Sequence, residues 1–209
     1  MKTKKLATLI LVAASLAVVT FLVFGLRFGF QPMDAGAAVP PPIDIFVDDD
    51  YDALTDGWHV YRWDNIQEAV DNATSGDTIF VYSGIYYENI EIDKSLTLQG
   101  EDRNTTIIDG GYFGDVLYVN SNNVIINSFT ILNAGSEFGD AGIEFYNGSS
   151  CHIEYNTISS NWWYAIFLNY SCSNCDVANN TIIDNFGGVY LDSTSHDNFI
   201  TGNTIRHND

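Results

Sequence analysis

Three groups of residues in this 209-residue chain carry side chains that could bind or react. The first is Cys151, His152, Cys172 and Cys175. Thiolate sulfur and imidazole nitrogen are ligands that soft and borderline metals take, so the set is a candidate soft-metal site. Its competing reading is one disulfide, Cys151 to Cys175, with Cys172 left as a spare thiol. The second group is Asp48, Asp50 and Asp52, oxygen donors at i, i+2 and i+4 as a calcium loop requires. Ala53 and His59 stand where an EF-hand loop needs its Gly and its bidentate Glu, so a solvated acidic turn is the competing reading. The third group is Trp162, Trp163, Tyr164, Phe167 and Tyr190, with Glu144. Aromatic faces beside carboxylates and amides suit sugar rings, which offer apolar C–H faces and hydroxyl edges. Outward aromatics that stack only on one another give the same pattern without a ligand.

A repeat positions these residues. Asn-Thr-Ile recurs at 156, 180 and 203, and a second phrase runs in register with it: Gly142-Ile-Glu-Phe, Ala165-Ile-Phe-Leu, Gly188-Val-Tyr-Leu. Asn161, Asn185 and Asn208 form a third marker. A period in this range signals stacked supersecondary units. Each unit holds three short alternating runs, whose inward set is Ile143/Phe145, Ile166/Leu168 and Val189/Leu191, with Ile153, Val177 and Ile200, and with Ile158, Ile182 and Ile205. That is too little core for one unit and enough for a stack. The expected fold is therefore all-β, a right-handed parallel β-helix over residues 43–209 with coils of about 23 residues. Leucine-rich spacing and a helical outer segment are absent. The two Asn series are expected as ladders at turns, where Asn tolerates the left-handed region and its amide reaches the next rung. The same register places Cys151 about one 4.8 Å rung from Cys175, and puts Leu117, Glu144, Phe167 and Tyr190 on one outward ladder with Tyr146 and Asn169 beside it.

Upstream, Lys2, Lys4 and Lys5 precede an uncharged run from Leu6 to Phe24, so residues 1–30 are expected to be a membrane anchor or a cleaved signal. Either would place the body outside the cell. Residues 31–42, with Pro40, Pro41 and Pro42, read as a linker. Asp64 to Ala73 is expected as a helix, with Asp64 as its cap and Gln67 completing a capping box. From Thr78 to Ile131 short strands alternate with turns, among whose breakers are Gly84 and Gly100.

Charge narrows the partners. The chain carries −19 overall, and beyond residue 37 only Arg62, Lys94, Arg103 and Arg206 oppose 26 acidic residues. Such a surface repels phosphate backbones and excludes a nucleic-acid ligand. The last coil stops before its next Gly-Ile-x-Leu strand. An open sheet edge recruits another strand, so self-association there, or a longer parent chain, is expected.

The run from Asp77-Thr-Ile-Phe-Val-Tyr to Lys94-Ser-Leu-Thr-Leu-Gln-Gly resembles the first coils of pectin-lyase-like proteins. The later Asn-Thr-Ile units resemble the NosD-type periplasmic copper-binding family and its surface relatives. The resemblance implies a helix that covers the first coil, and copper as the metal the thiol–imidazole set would take. It also implies polysaccharide chemistry carried by carboxylates on one face. Glu144 with Asp192, and Asp176 with Glu154, are the acids that align, but polygalacturonase signatures and a basic cluster for a uronate are missing, and no catalytic residue is assigned. The function expected is an extracellular or cell-surface module, structural or carbohydrate-binding, with a polysaccharide-degrading enzyme and a copper-related periplasmic protein as alternatives.

Overall fold

The computed structural model describes residues 44–208. The expected anchor or signal at 1–30 and the linker at 31–42 lie outside those residues. Among the described residues no helix is long and apolar enough to cross a membrane.

The chain winds as a right-handed parallel β-solenoid whose coils each give one short strand to each of three sheets. The first sheet has eight strands, running from Arg62–Trp63 and Asp44–Val47 through Thr78–Val81, Thr97–Gly100, Ile125–Asn127, His152–Glu154 and Asp176–Ala178 to Phe199–Thr201. The second has six strands, from Gly84–Tyr87 to Thr204–Arg206. The third has five: Ile90–Ile92, Leu117–Val119, Ala141–Tyr146, Tyr164–Asn169 and Gly187–Leu191. All pairings between these strands are parallel and carry like residue over like: Ile126 over Ile153 over Val177, Ile131 over Ile158 over Ile182, Ile143 over Ile166 over Val189. Alternation within each strand turns these residues inward, and stacking makes them one continuous core. Ile126, Ile131, Ile143, Ile158, Ile166 and Ile182 are fully buried. Ile200 and Ile205 belong to the last described coil and are 40% and 48% exposed.

The corners between strands follow one rule. Tyr155, Asn179 and Gly202 adopt positive φ (57°, 58° and 65°), and Asn156, Asn180 and Asn203 follow them. Ser160, Asp184 and His207 do the same (58°, 57° and 53°) ahead of Asn161, Asn185 and Asn208. The expected ladders are present, but the left-handed residue is the one before each ladder Asn. The reason is burial: the sharp corner swings the next side chain inward, where an amide can serve backbone groups that water cannot reach. Asn180 Oδ1 accepts from the Asn156 backbone N–H at 2.9 Å, and Asn180 Nδ2 donates to the Ile153 carbonyl at 2.8 Å. Asn203 repeats this one coil on, with Oδ1 2.9 Å from Asn180 N and Nδ2 2.7 Å from the Val177 carbonyl. In the second ladder Asn185 Oδ1 accepts from Asn161 N at 3.1 Å, and Asn208 Oδ1 from Asn185 N at 3.0 Å. At the other end Asn156 and Asn161 satisfy the N–H groups of Phe129 and Ala134, each at 3.0 Å.

Two local expectations are corrected. The helix spans Ile66–Asn72, and its cap is Asn65, whose side chain accepts from Glu68 N at 2.8 Å; Asp64 lies one residue too early. The remaining free N–H groups, on Ile66 and Gln67, donate to the two Glu88 oxygens at 2.8 Å each. A carboxylate at the positive end of a helix is favourable, and here it ties the helix to the first coils. Gln67 does not close a capping box; its amide bonds Asp71 and the Glu91 backbone instead. Ile66, Ala69 and Val70 are buried against the solenoid. Gly84 is the first residue of its strand and Gly100 the last of its own, so each belongs to a strand and not to the turn between strands. A Cβ at Gly84 would sit 2.6 Å from Asp49 Oδ1, and one at Gly100 would sit 2.3 Å from the Ser128 carbonyl oxygen. Close approach of backbone selects glycine at Gly100, whereas at Gly84 the obstacle is only the Asp49 carboxylate, which can move aside.

Asn180 is 1% exposed, so removing its amide strands the Asn156 N–H and the Ile153 carbonyl inside the core. Asn180→Ala is expected to destabilise the protein by about 2–4 kcal/mol, since each buried orphan costs about 1–3 kcal/mol. Asn120→Ala, at an exposed position, should stay within about 0.5 kcal/mol. Urea denaturation of the two variants checks the contrast.

Candidate functional site

The third sheet turns Tyr118, Glu144, Phe167 and Tyr190 to the outside in one file. Leu117, expected in that file, pairs with Ile143 and is fully buried; the strand register is one residue away from the expected one. A one-residue slip moves a side chain to the opposite face, and it is Tyr118 that faces out.

The aromatic residues divide into two sets. Tyr164 stacks on Tyr190 with ring centroids 4.7 Å apart and planes at 15°, and both meet Phe167 at 5.3 and 5.2 Å. Trp163 extends this set, touching Tyr164 at 6.4 Å and Phe138 and Phe186 edge-on at 5.2 and 5.0 Å; its indole N–H donates to the Ser136 carbonyl. These rings are engaged with one another. Trp162 is different. It is 63% exposed and lines an open groove of about 500 Å³ with Phe186, Asp184, His207 and Ser160. The groove runs beside the second asparagine ladder: Ser160, Asp184 and His207 precede the ladder residues, and Trp162 and Phe186 follow them. His207 Nδ1 lies 3.5 Å from Asp184 Oδ1. Phe186, Asp184 and His207 were absent from the sequence-based candidates, although the ladder marks their slots: Phe186 follows Asn185 as Trp162 follows Asn161.

Glu144 does not join the aromatic set chemically. Its Oε1 accepts from Asn169 Nδ2 at 2.8 Å, and it is hydrogen-bonded to Asp115. Burial, then the hydrogen bond to Glu144 and its charge, pushes Asp115 up to about 8, although the Ala141 N–H at 2.7 Å pulls the other way. Two carboxyl groups in contact cannot both ionise cheaply, which is why Asp115 keeps its proton. They are too close to flank a glycosidic bond, which needs carboxyls about 5–9.5 Å apart. Asp115 has no repeat marker of its own. Beside the pair, Asn89, Glu91, Asp115 and Tyr118 line a shallow cleft of about 300 Å³. Asp192 lies two residues beyond Tyr190 and caps a turn through Thr194 and Ser195, apart from Glu144.

The cysteines are corrected. Cys151, Cys172 and Cys175 are free and buried. Cys151 and Cys175 are one rung apart, with Cys151 Sγ in reach of the Ser121 and Ser149 carbonyls and Cys175 Sγ in reach of the Gly148 and Ser173 carbonyls. In-register parallel neighbours keep their side chains about a rung apart, about 4.8 Å, whereas a disulfide needs Cβ atoms about 3.8 Å apart. The neighbouring Cys175 thiol, and then burial, pushes the Cys151 thiol up, while burial leads the rise of Cys172 to about 11. His152 is exposed beside buried Cys151, on the opposite face of its strand, so it cannot complete a ligand set with the thiols. These residues do not fit copper. The calcium expectation fails similarly: Asp48 Oδ1 accepts from Asp50 N, and Asp52 Oδ1 from Leu54 N, as local turns. Among the described residues, the three do not bring their carboxylates together; His59, Asp64 and Glu68 do converge.

Asp115 gives a pH signature. Its folded value lies above the unfolded one of about 3.9, so the folded state binds the extra proton, and stability falls as pH rises between about 4 and 8. Asp115→Asn keeps a donor toward Glu144 and removes the titration. Thermal melts should show the variant with a flatter pH dependence over that range and a Tm at pH 8 a few degrees above the wild type, since about 1 kcal/mol is about 2–4 °C at this size.

Comparison with known proteins places the chain. A model of the family described as periplasmic copper-binding protein (NosD) matches residues 70–209. A cell surface glycoprotein of Methanothermus fervidus is 37% identical over 106 residues, covering 47% of this chain and 17% of the relative. The chain thus spans under a fifth of that protein's length. Solved structures similar to it include the pectin methylesterase of carrot, with TM-score 0.45 and 16% identity over 74% of this chain and 52% of that one. The pectin methylesterase of Erwinia chrysanthemi gives TM-score 0.43 and 14% identity over 76% and 58%. The match of the family model to the coils from residue 70 onward shows that this chain belongs to the NosD family.

Proposed function

We propose that the chain is a cell-surface β-helix module that binds a polysaccharide or surface glycan in the groove beside its second asparagine ladder. The observation that carries this reading is the placement of Trp162 and Phe186. They occupy equivalent slots on successive coils, 63% and 50% exposed, with Asp184 and His207 at the same groove. Apolar faces spaced by the coil repeat, with polar groups between them, match the alternating C–H faces and hydroxyls of a sugar chain. The rigid ladder underneath fixes the spacing before any ligand arrives, which lowers the ordering cost of binding. Likeness to a cell surface glycoprotein supports a location outside the cell, and the acidic body fits a neutral or basic glycan better than a uronate or a nucleic acid.

The stacked set of Trp163, Tyr164, Phe167 and Tyr190 serves in this reading as the support behind the groove, reached through the Trp163–Phe186 contact. Membrane attachment through residues 1–30 belongs to the same proposal. An enzymatic role has less support, because the carboxyl groups of Asp115 and Glu144 are engaged with each other.

Screening against a glycan array and then measuring affinity for the best ligand tests the proposal. Trp162→Ala and Phe186→Ala should each weaken binding about tenfold or more, in keeping with about 1–2 kcal/mol for a stacking face. Their melting curves should be close to the wild type, because both rings are largely exposed. Wild-type affinity in both variants would end the reading.

A further inference from the structure

Three potential metal ligands converge beside the first coil, away from the thiols. His59, Asp64 and Glu68 each present one ligand atom, and the three lie within 4.8 Å of one another. His59 Nε2 is 3.5 Å from Glu68 Oε2. That is longer than an ordinary hydrogen bond of about 2.7–3.2 Å. It equals the edge, about 3.4 Å, of a tetrahedron around an ion held at about 2.0–2.1 Å by imidazole nitrogen and carboxylate oxygen.

The imidazole is held rigidly for the task. Its ring lies between two indoles, 4.3 Å from Trp58 with planes at 22° and 4.7 Å from Trp63 at 16°. The His59 backbone N–H donates to the Arg62 carbonyl at 2.9 Å with the residue at φ 53°, so the main chain that carries the ring is fixed as well. Trp63 is itself fixed, 5% exposed and paired in the first sheet with Val47. Glu68 sits in the first turn of the helix, whose start is fastened by Asn65 and Glu88. Among the described residues no Lys or Arg forms an ion pair with Asp64 or Glu68. Two carboxylates and one imidazole therefore converge at half-exposed positions with their charge uncompensated.

We propose that His59, Asp64 and Glu68 bind one borderline divalent cation of the zinc class, with the fourth position left to water. Nitrogen and oxygen donors in this ratio favour such an ion over calcium, which takes six to eight oxygens. The bound ion clips the loop carrying His59 to the helix at the outer edge of the first sheet. This site lies outside residues 70–209 and is independent of the glycan groove.

Titration calorimetry of the full chain with Zn2+ tests the proposal. The wild type should bind one ion, Zn2+ should raise its Tm, and excess Ca2+ should not displace the zinc. His59→Asn keeps a residue that tolerates positive φ, and Glu68→Gln keeps the helix surface; each should weaken zinc binding about tenfold or more. Glu68→Gln alone decides the matter if the His59 variant does not fold. His152→Ala, on the outer face of the first sheet, should bind as the wild type does. Absence of zinc binding by the wild type, unchanged affinity in Glu68→Gln, or loss only in His152→Ala would overturn the assignment.

Discussion

At two corners of each later coil this solenoid buries a backbone N–H that bonds to an asparagine side chain instead of a neighbouring strand, and a buried amide left unpaired costs about as much as a lost hydrogen bond. The two asparagine ladders meet that demand. Each side chain accepts from the backbone one coil earlier, and all but Asn161 donate to a backbone carbonyl as well, so Asn156, Asn180 and Asn203 form one column, and Asn161, Asn185 and Asn208 another. The apolar stacks supply the driving force, yet isoleucine over isoleucine tolerates sliding. The amides set the register, because a slip by one residue would put each of them on the wrong face.

From that constraint the surface follows. Positive φ at the residue before each ladder Asn fixes where the flanking side chains emerge, and at the second ladder this produces the groove of Trp162, Phe186, Asp184 and His207. The same stacking sets Asp115, just ahead of the Leu117–Val119 strand, beside Glu144 of the next strand, and Asp115 keeps its proton there. It also holds Cys151 over Cys175, both of them buried and free. Coils of one period thus create columns of like chemistry, and the columns become binding surface only where a side chain escapes the stack.

Legibility in the sequence tracked the period. Asn-Thr-Ile repeats and the alternating Ile, Val and Leu positions were enough to name the fold and nearly all of the inward residues, because both depend on local spacing. Trp162 was also found, through its aromatic neighbours. Leu117 was misplaced because the strand before the regular repeat has no Asn marker to pin it, so its phase had to be guessed. The helix cap fell on Asn65 because two adjacent polar residues both suit a cap, and only packing against the first coils chooses between them. The His59, Asp64 and Glu68 cluster joins residues from a loop and a helix with no repeat, and its geometry depends on two indoles closing around the imidazole. Sequence spacing carries no signal of that kind.

Amide hydrogen exchange, resolved residue by residue, tests the central role of the ladders most directly. The backbone N–H groups of Phe129, Ala134, Asn156, Asn161, Asn180 and Asn185 all donate to ladder side chains. The account predicts that the four belonging to the inner coils, Phe129, Ala134, Asn156 and Asn161, exchange only through global unfolding, at the rate of the strand amides beside them. Exchange at these four as fast as in the exposed loop around residues 50–56 would contradict it.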